Sequence, residues 1–218
     1  MNAELPARAF FNYRVPLAPR PKNLRLDGRL SEWDEGTLLP DLGALEGSPG
    51  FAQVHLAWDP QGLYLALDVA NKTSVAAHRQ RPQSADALLI WIDTRDVRDV
   101  HRATRFCHHF IALPRGGGSG RQSATAWQQP IRRAREEAPL GDGKKIRVAS
   151  NIHPTGYSLE LALPAAVLNG YDPDECARLG FTYLVCDHEH GWQTWATPGA
   201  HPYQFDPSTW ATVELVQG

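Results

Sequence analysis

Short apolar or alternating stretches, separated by Gly, Pro, Asn and Asp, run through most of the chain. Residues 51–59 alternate, with Val54, Leu56 and Trp58 on one face of an extended segment and polar side chains between them. The segment 59–62 (DPQG) is typical of a turn, and residues 63–69 return as a second apolar run. The pattern therefore predicts a β-hairpin.

Residues 86–93 (DALLIWID) are apolar at successive positions, so both faces of this segment are apolar. A strand of this kind suits the middle of a sheet that is covered on both sides. Similar short runs predict further strands at 105–113, 121–127, 144–153, 157–163, 179–187, 192–197 and 210–216.

Helical signals are few. Residues 31–35 (SEWDE) and 164–170 (PAAVLNG) each favour one short helical turn, and the charged stretch 132–139 (RRAREEAP) lacks an apolar stripe and is interpreted as a solvated loop. About ten strands with one or two helical turns predict an all-β fold, an antiparallel β-sandwich of jelly-roll type. With no shift in composition along the chain, we expect one domain over 24–218 and an extended, proline-interrupted segment over 1–23 that packs on it.

Composition and charge exclude some classes of function. The 22 basic and 24 acidic side chains give a net charge of −2, which argues against general binding to nucleic acid or to an anionic membrane. No apolar run reaches the length of a membrane span, and the N-terminal residues lack the apolar region of a signal peptide. Three cysteines are interpreted as free thiols in a reducing compartment, so we expect a cytoplasmic protein.

Motifs of catalysis are missing from the sequence. It contains no GxSxG, no phosphate-binding loop and no GxGxxG before a helix, and the glycine-rich stretch 115–120 (RGGGSG) is interpreted as a hairpin tip. We therefore predict a protein that is not an enzyme and that holds no cofactor.

Seven tryptophans against one methionine are unusual, and several of them lie near amides in loop-rich sequence. Tryptophan rings offer flat apolar faces for a sugar ring, while neighbouring amides bond its hydroxyls. The predicted ligand-binding residues are Trp192, Gln193, Trp195, Tyr203, Trp127 and His109. The alternative for the cluster at 192–205 is structural packing at one end of the sandwich.

Two cysteine- and histidine-containing strands, CHHF at 107–110 and CDHEH at 186–190, allow a metal hypothesis. Side chains alternate along a strand, so Cys107 and His109 share a face, as do Cys186, His188 and His190. If the two strands were adjacent, a mixed Cys/His zinc site would be feasible. A haem held by two of the histidines is a further alternative, although no attachment motif is present.

Three stretches in order, 24–35 (LRLDGRLSEWDE), 52–69 with 86–96 (DALLIWIDTRD), and 180–191 followed by 206–215 (DPSTWATVEL), carry a family resemblance. They resemble family 9 carbohydrate-binding modules and the wider group of DOMON-like sandwiches, over nearly the whole of residues 24–216. The resemblance implies a non-catalytic module that binds a carbohydrate or a similar polar small ligand. The alternatives are a haem- or metal-holding DOMON-like redox module, and a structural or protein-interaction domain with a protein partner.

The resemblance also indicates where the family's sugar site falls. Those modules hold the terminal sugar between two tryptophans, and the matching positions here are Gln83 and Gln204. A charged residue that bonds sugar hydroxyls in the family is matched by Leu89. The resemblance therefore implies the family's fold with a different set of side chains at the site.

Overall fold

The fold consists of strands with only short helical turns between them, in a computed structural model that describes residues 8, 11–198 and 201–217. The strands are β1 (Arg14–Leu17), β2 (Ala52–Asp59), β3 (Gly62–Ala70), β4 (Ala87–Asp93), β5 (Cys107–Gly117), β6 (Ser123–Gln129), β7 (Arg147–His153), β8 (Gly156–Pro164), β9 (Arg178–Asp187), β10 (Gly191–Thr194) and β11 (Ala211–Leu215). The all-β prediction is confirmed, and each of the ten predicted strands corresponds to one of β2 to β11.

Two sheets make up the sandwich. The larger has the order β1-β11-β9-β4-β5-β6, with β10 paired to β9, and the smaller has the order β2-β3-β8-β7. All pairs are antiparallel except β1 with β11. The central position of β4, between β5 and β9, is the one that its two apolar faces predicted.

The additional strand is β1, which the sequence pattern did not indicate. It contains Pro16, spans four residues and pairs in parallel with the strand at the other end of the chain. A short segment that contains proline has no strand signal of its own, and its pairing is decided by a partner about two hundred residues away. The predicted boundary between an N-terminal segment and a domain at residue 24 stays a prediction.

Helical structure in the described residues is limited to 3-10 turns of three to five residues. They lie at Glu35–Thr37, Leu42–Glu46, Pro82–Ser84, Gly143–Lys145, Ala165–Val167 and Pro207–Thr209. The predicted turn at 164–170 is found at Ala165–Val167, and the one predicted at 31–35 lies slightly later, at Glu35–Thr37. None of the helices in the described part of the chain is long and apolar enough to cross a membrane.

The main core lies between the two sheets. Alternate residues of β4 (Leu88, Ile90 and Ile92) face it and are completely buried there. The opposite residues of β4, Leu89 and Trp91, belong to a second apolar cluster on the outer face of the larger sheet. Loops cover part of this outer cluster and leave the remainder as the floor of a groove.

The turn at Asp27-Gly28 is held by a carboxylate from the smaller sheet. Glu160, fully buried on β8, accepts hydrogen bonds from the backbone N–H of Asp27 (2.9 Å) and Gly28 (2.7 Å) and from Trp33 Nε1 (2.9 Å). Gly28 has φ +85°, and a Cβ there would lie 2.3 Å from the carbonyl carbon of Ser150. The motif at 24–35 is therefore a structural element, with the Trp33 side chain bonded to the same carboxylate that holds the turn.

Candidate functional site

A groove of about 1300 Å³ lies on the outer face of the larger sheet. Its floor is formed by β4, β5 and β6, because odd-numbered residues of these strands point away from the main core. The register places them in two rows across the sheet, Leu89–Ile111–Trp127 and Trp91–His109–Gln129. The walls are the loop 79–84, the segment 130–133, Trp192 on β10, and Gln204 with Phe205.

The floor is aromatic at its centre. The rings of Trp91 and His109 stack with centroids 4.4 Å apart and an interplanar angle of 9°, and Tyr203 meets Trp91 edge-on from outside the groove. Neighbouring strands bring the first two rings together because Trp91 and His109 are directly opposite each other in the register. The result is a rigid, mostly apolar platform.

His109 is held neutral in this platform. Burial lowers its pKa to about 3, and Gln129 Nε2 donates to its Nδ1 at 3.2 Å. The neutral ring therefore carries its proton on Nε2. That nitrogen and Trp91 Nε1 are both buried without a hydrogen-bond partner among the residues that the structure describes. Unpartnered buried donors are rare in folded proteins and cost about 1–3 kcal/mol each.

Exposed aromatic surface is concentrated on the walls. Trp192 is 59% exposed, and its Nε1 donates to the carbonyl oxygen of Gln83 at 3.2 Å, which fixes the ring at the mouth of the groove. Trp127 is half-buried, with the Arg79 guanidinium carbon 4.9 Å from its ring centroid. The walls of the groove thus offer two indole rings, the exposed ring of Trp192 and the ring of Trp127, which is covered in part by the Arg79 guanidinium.

Three of the predicted ligand-binding residues, Trp127, Trp192 and His109, line this one groove. Residues from three separate strands meet here, and alternation along each strand explains why. Trp127 lies in the groove because of its place on β6. Whether these side chains contact a ligand stays a prediction.

The other three predicted residues do not line the groove, which corrects the prediction that 192–205 forms one cluster. Gln193 points to the opposite side of β10, where it bonds both backbone groups of Ala52 (2.8 and 2.9 Å). Trp195 follows the end of β10 at Thr194, where the chain bends and packs the ring in the main core; it is 1% exposed, and its Nε1 donates to the carbonyl oxygen of Pro40. Tyr203 is 1% exposed in the outer apolar cluster, where its ring meets the edge of Trp91.

Residues that sequence reasoning missed are the arginines of the walls. Arg79 and Arg81 lie on one side of the groove and Arg132 and Arg133 on the other. The stretch 132–139 is a loop, as predicted, but its first two residues turn toward the groove. The sequence shows two short basic clusters near predicted strands, but nothing in it indicates that they face one groove.

The hypothesis of a mixed Cys/His zinc site fails on topology. Strands β5 and β9 are not adjacent, because β4 lies between them. Cys107 pairs with Asp93 at one end of β4 and Cys186 with Ala87 at the other, about 20 Å apart along the strand. Burial also raises the pKa of both thiols to about 12, so neither is a ready thiolate ligand.

A different cluster has the geometry of a metal site but contains its own cation. Ligand atoms of Asp86, Asp187 and His188 lie within 4.8 Å of one another. The ammonium group of Lys72 contacts both carboxylates, at 3.1 Å from Asp86 Oδ1 and 2.6 Å from Asp187 Oδ2. The lysine supplies the positive charge that such a pair of buried carboxylates requires.

A two-layer β-sandwich with an aromatic groove on the outer face of one sheet defines a class, the sandwich-type binding modules. Residues 41–218 match the family described as "Carbohydrate family 9 binding domain-like", and the chain belongs to that family. It is a family of non-catalytic carbohydrate-binding modules, in agreement with the prediction that the chain is not an enzyme. Comparison with curated protein sequences finds no significant match.

Solved structures of the same fold include two of a family 9 carbohydrate-binding module from Caldicellulosiruptor kristjanssonii. The one in complex with cellotriose is 16% identical, with 93% of each chain covered and a TM-score of 0.62. The one in complex with glucose is 14% identical, with 94% of this chain and 97% of that chain covered and a TM-score of 0.64. At these identities the likeness establishes the fold.

Proposed function

We propose that the groove on the outer face of the larger sheet is the carbohydrate site of this module. The main support for this proposal is that a sequence match and the shape of the structure indicate the same place. Gln83, Leu89 and Gln204 match the family's sugar-binding positions by sequence resemblance, and all three line the groove that the structure defines by shape.

The side chains at those positions differ from the family's, and other residues of the groove supply what they lack. Trp192 offers the exposed ring against which a sugar packs, and its hydrogen bond to Gln83 holds that ring in place. Gln83 and Gln204, together with Gln80 and Gln129, line the groove as amides. An amide both donates and accepts, which suits hydroxyl groups that do the same.

The related structures give the expected class of ligand. One family 9 module is known in complex with cellotriose and another structure holds glucose, so we propose a short saccharide for this chain. The cytoplasmic location, a protein partner, and the lack of affinity for nucleic acid or membrane stay predictions that accompany this proposal.

Isothermal titration calorimetry of the purified chain against a panel of oligosaccharides tests the proposal. Replacing Trp192 with Ala removes the exposed ring without touching the core, so binding should weaken about tenfold, which corresponds to about 1.4 kcal/mol. Phe11→Ala is the matched control, because Phe11 is also exposed (64%) and lies outside the groove. Failure of every saccharide to bind a folded chain, or equal loss in both variants, would contradict the proposal.

A further inference from the structure

The charge of the groove is opposite to that of the chain. Four arginines line it, and its lining includes no Asp or Glu, although the chain as a whole carries a net charge of −2. The only histidine in the lining, His109, has its pKa lowered to about 3 by burial and is neutral. The groove therefore presents four positive charges and no negative one.

These four arginines are available to a ligand. All of them are exposed, and within the described part of the chain none forms a salt bridge with a carboxylate. Their contacts are weak or non-ionic. Arg79 stacks on Trp127, Arg133 lies over the ring of Phe205 at 5.4 Å, and Arg81 Nη2 lies 3.1 Å from a ring nitrogen of His78.

Aromatic rings position two of these cations, Arg79 and Arg133, and leave most of their donors unused. A guanidinium that lies over an aromatic ring presents its flat face to the ring, while its N–H groups point outward in the plane. Arg79 Nη1 makes one long hydrogen bond, to Thr125 Oγ1 at 3.5 Å, and the Arg133 side chain makes none to the residues that the structure describes, so most of the donors of these two arginines are free. A planar carboxylate or a sulfate is the partner that the edge of a guanidinium binds with two parallel hydrogen bonds.

Neutral sugars do not account for this arrangement. Their hydroxyl groups need acceptors as well as donors, whereas arginine only donates. The glutamines of the lining serve hydroxyls as both donors and acceptors, so four guanidinium groups are more positive charge than a neutral saccharide requires. Free positive charge in a groove also raises the local concentration of anions.

We propose that the ligand of this groove is an acidic saccharide, with its ring against Trp192 and its carboxylate or sulfate groups on the wall arginines. This inference rests on the proposed function and narrows it to a class of sugar. We choose a saccharide because the amides and the exposed indole suit hydroxylated rings. A single-stranded oligonucleotide is the competing ligand, and direct competition distinguishes the two.

The test compares ligands that differ only in charge. Trigalacturonate should bind the purified chain at least about tenfold more tightly than its fully methyl-esterified form, since hydrogen bonds to charged groups are typically worth about 10- to 100-fold. A chondroitin sulfate oligosaccharide forms the second arm and distinguishes sulfate from carboxylate recognition. Binding of the acidic ligand should weaken as NaCl is raised, and binding of the ester should not.

Variants locate the effect. Arg79→Gln and Arg133→Gln should each reduce affinity for the acidic saccharide about tenfold while leaving the ester unchanged. Arg25→Gln is the control, because Arg25 is exposed and outside the groove.

The outcomes separate this inference from the proposed function. Equal binding of acid and ester, with no effect of the arginine variants, would overturn the acidic ligand and leave carbohydrate binding intact. No binding of any saccharide would overturn both. A single-stranded oligonucleotide that competes for the groove and binds more tightly than the acidic saccharides would overturn the inference in favour of nucleic acid.

Discussion

A buried lysine anchors the loop that carries one wall of the groove, and its replacement is the most demanding test of the structure. Lys72 and the carboxylates of Asp86 and Asp187 have side chains that are at most 1% exposed. Asp86 also accepts from the backbone N–H of Ala76 at 2.7 Å and lies 2.9 Å from His188 Nδ1. The loop between Lys72 and Asp86, which carries Arg79, Arg81 and Gln83, is thus tied at both ends.

Lys72→Met keeps most of the length and volume of the side chain and removes its charge. Removing one partner of a buried ion pair leaves an uncompensated charge and costs about 3–5 kcal/mol. Two carboxylates lose their cation here, so we expect a loss in the free energy of unfolding in the upper part of that range. Such a loss is a large share of the 5–15 kcal/mol typical of a domain.

The pH dependence of the variant follows from Asp187. Burial pushes the pKa of this carboxyl up, but hydrogen bonds from Lys72 and from the backbone N–H groups of His190 and Glu189 outweigh burial and leave it below the ordinary value. In the wild type this depressed pKa adds stability above the unfolded value of about 3.9, and that stability is lost as the pH falls through the folded pKa. Without Lys72 the effect of burial gains weight, so the deficit of the variant should shrink as the pH is lowered.

Urea unfolding, followed by tryptophan fluorescence at neutral and at acidic pH, measures both effects. A second variant, Lys72→Met with Asp187→Asn, serves as the control, because it removes one of the stranded charges and should recover part of the loss. A deficit below about 1 kcal/mol at neutral pH, or one that grows on acidification, would show that Lys72 does not balance the charge of these two carboxylates.

Two further predictions concern buried polar groups. Burial lowers the pKa of His109 to about 3, so between pH values of about 6.5 and 3 the unfolded wild-type chain binds one more proton than the folded chain and stability falls with pH. In His109→Phe this loss of stability on acidification should be smaller by about 1.4 kcal/mol per pH unit in that window. Thermal unfolding across pH 4 to 6 measures the difference, and parallel stability curves for the two proteins would contradict it. Glu160→Gln should destabilise the fold by about 1–3 kcal/mol, because an amide N–H then meets donors from Asp27, Gly28 or Trp33. An unchanged urea midpoint, with Glu137→Gln as an exposed control, would show that these bonds contribute nothing.

The strands could be predicted because their signal is local. Alternation along β2 and the apolar residues on both faces of β4 indicate which faces of each strand are buried, without knowledge of the neighbouring strands. The sequence of β1 has no such apolar pattern, and its pairing depends on a segment at the other end of the chain. The same limit applies to the Cys/His hypothesis, which required an adjacency that only the strand order decides.

The candidate site was predictable to the extent that strand alternation fixes it. His109 and Trp127 point to the groove because of their places on β5 and β6, and Trp192 because of its place on β10. The local sequence does not show that Trp195 and Tyr203 are buried while Trp192 is exposed. Their burial depends on the path of the chain after β10. The arginines converge from loops some fifty residues apart, a juxtaposition that no local pattern contains.

Tryptophans lie both inside the groove on the larger sheet and far from it, so their signals show whether the saccharide binds in that groove. In a heteronuclear NMR titration with the tightest-binding oligosaccharide, the indole N–H signals of Trp192 and Trp127 should shift with saturation. Those of Trp33 and Trp195, buried on the smaller sheet and in the main core, should stay in place. Shifts confined to Trp33 and its surroundings, with Trp192 and Trp127 unchanged at saturation, would contradict the placement of the saccharide in this groove.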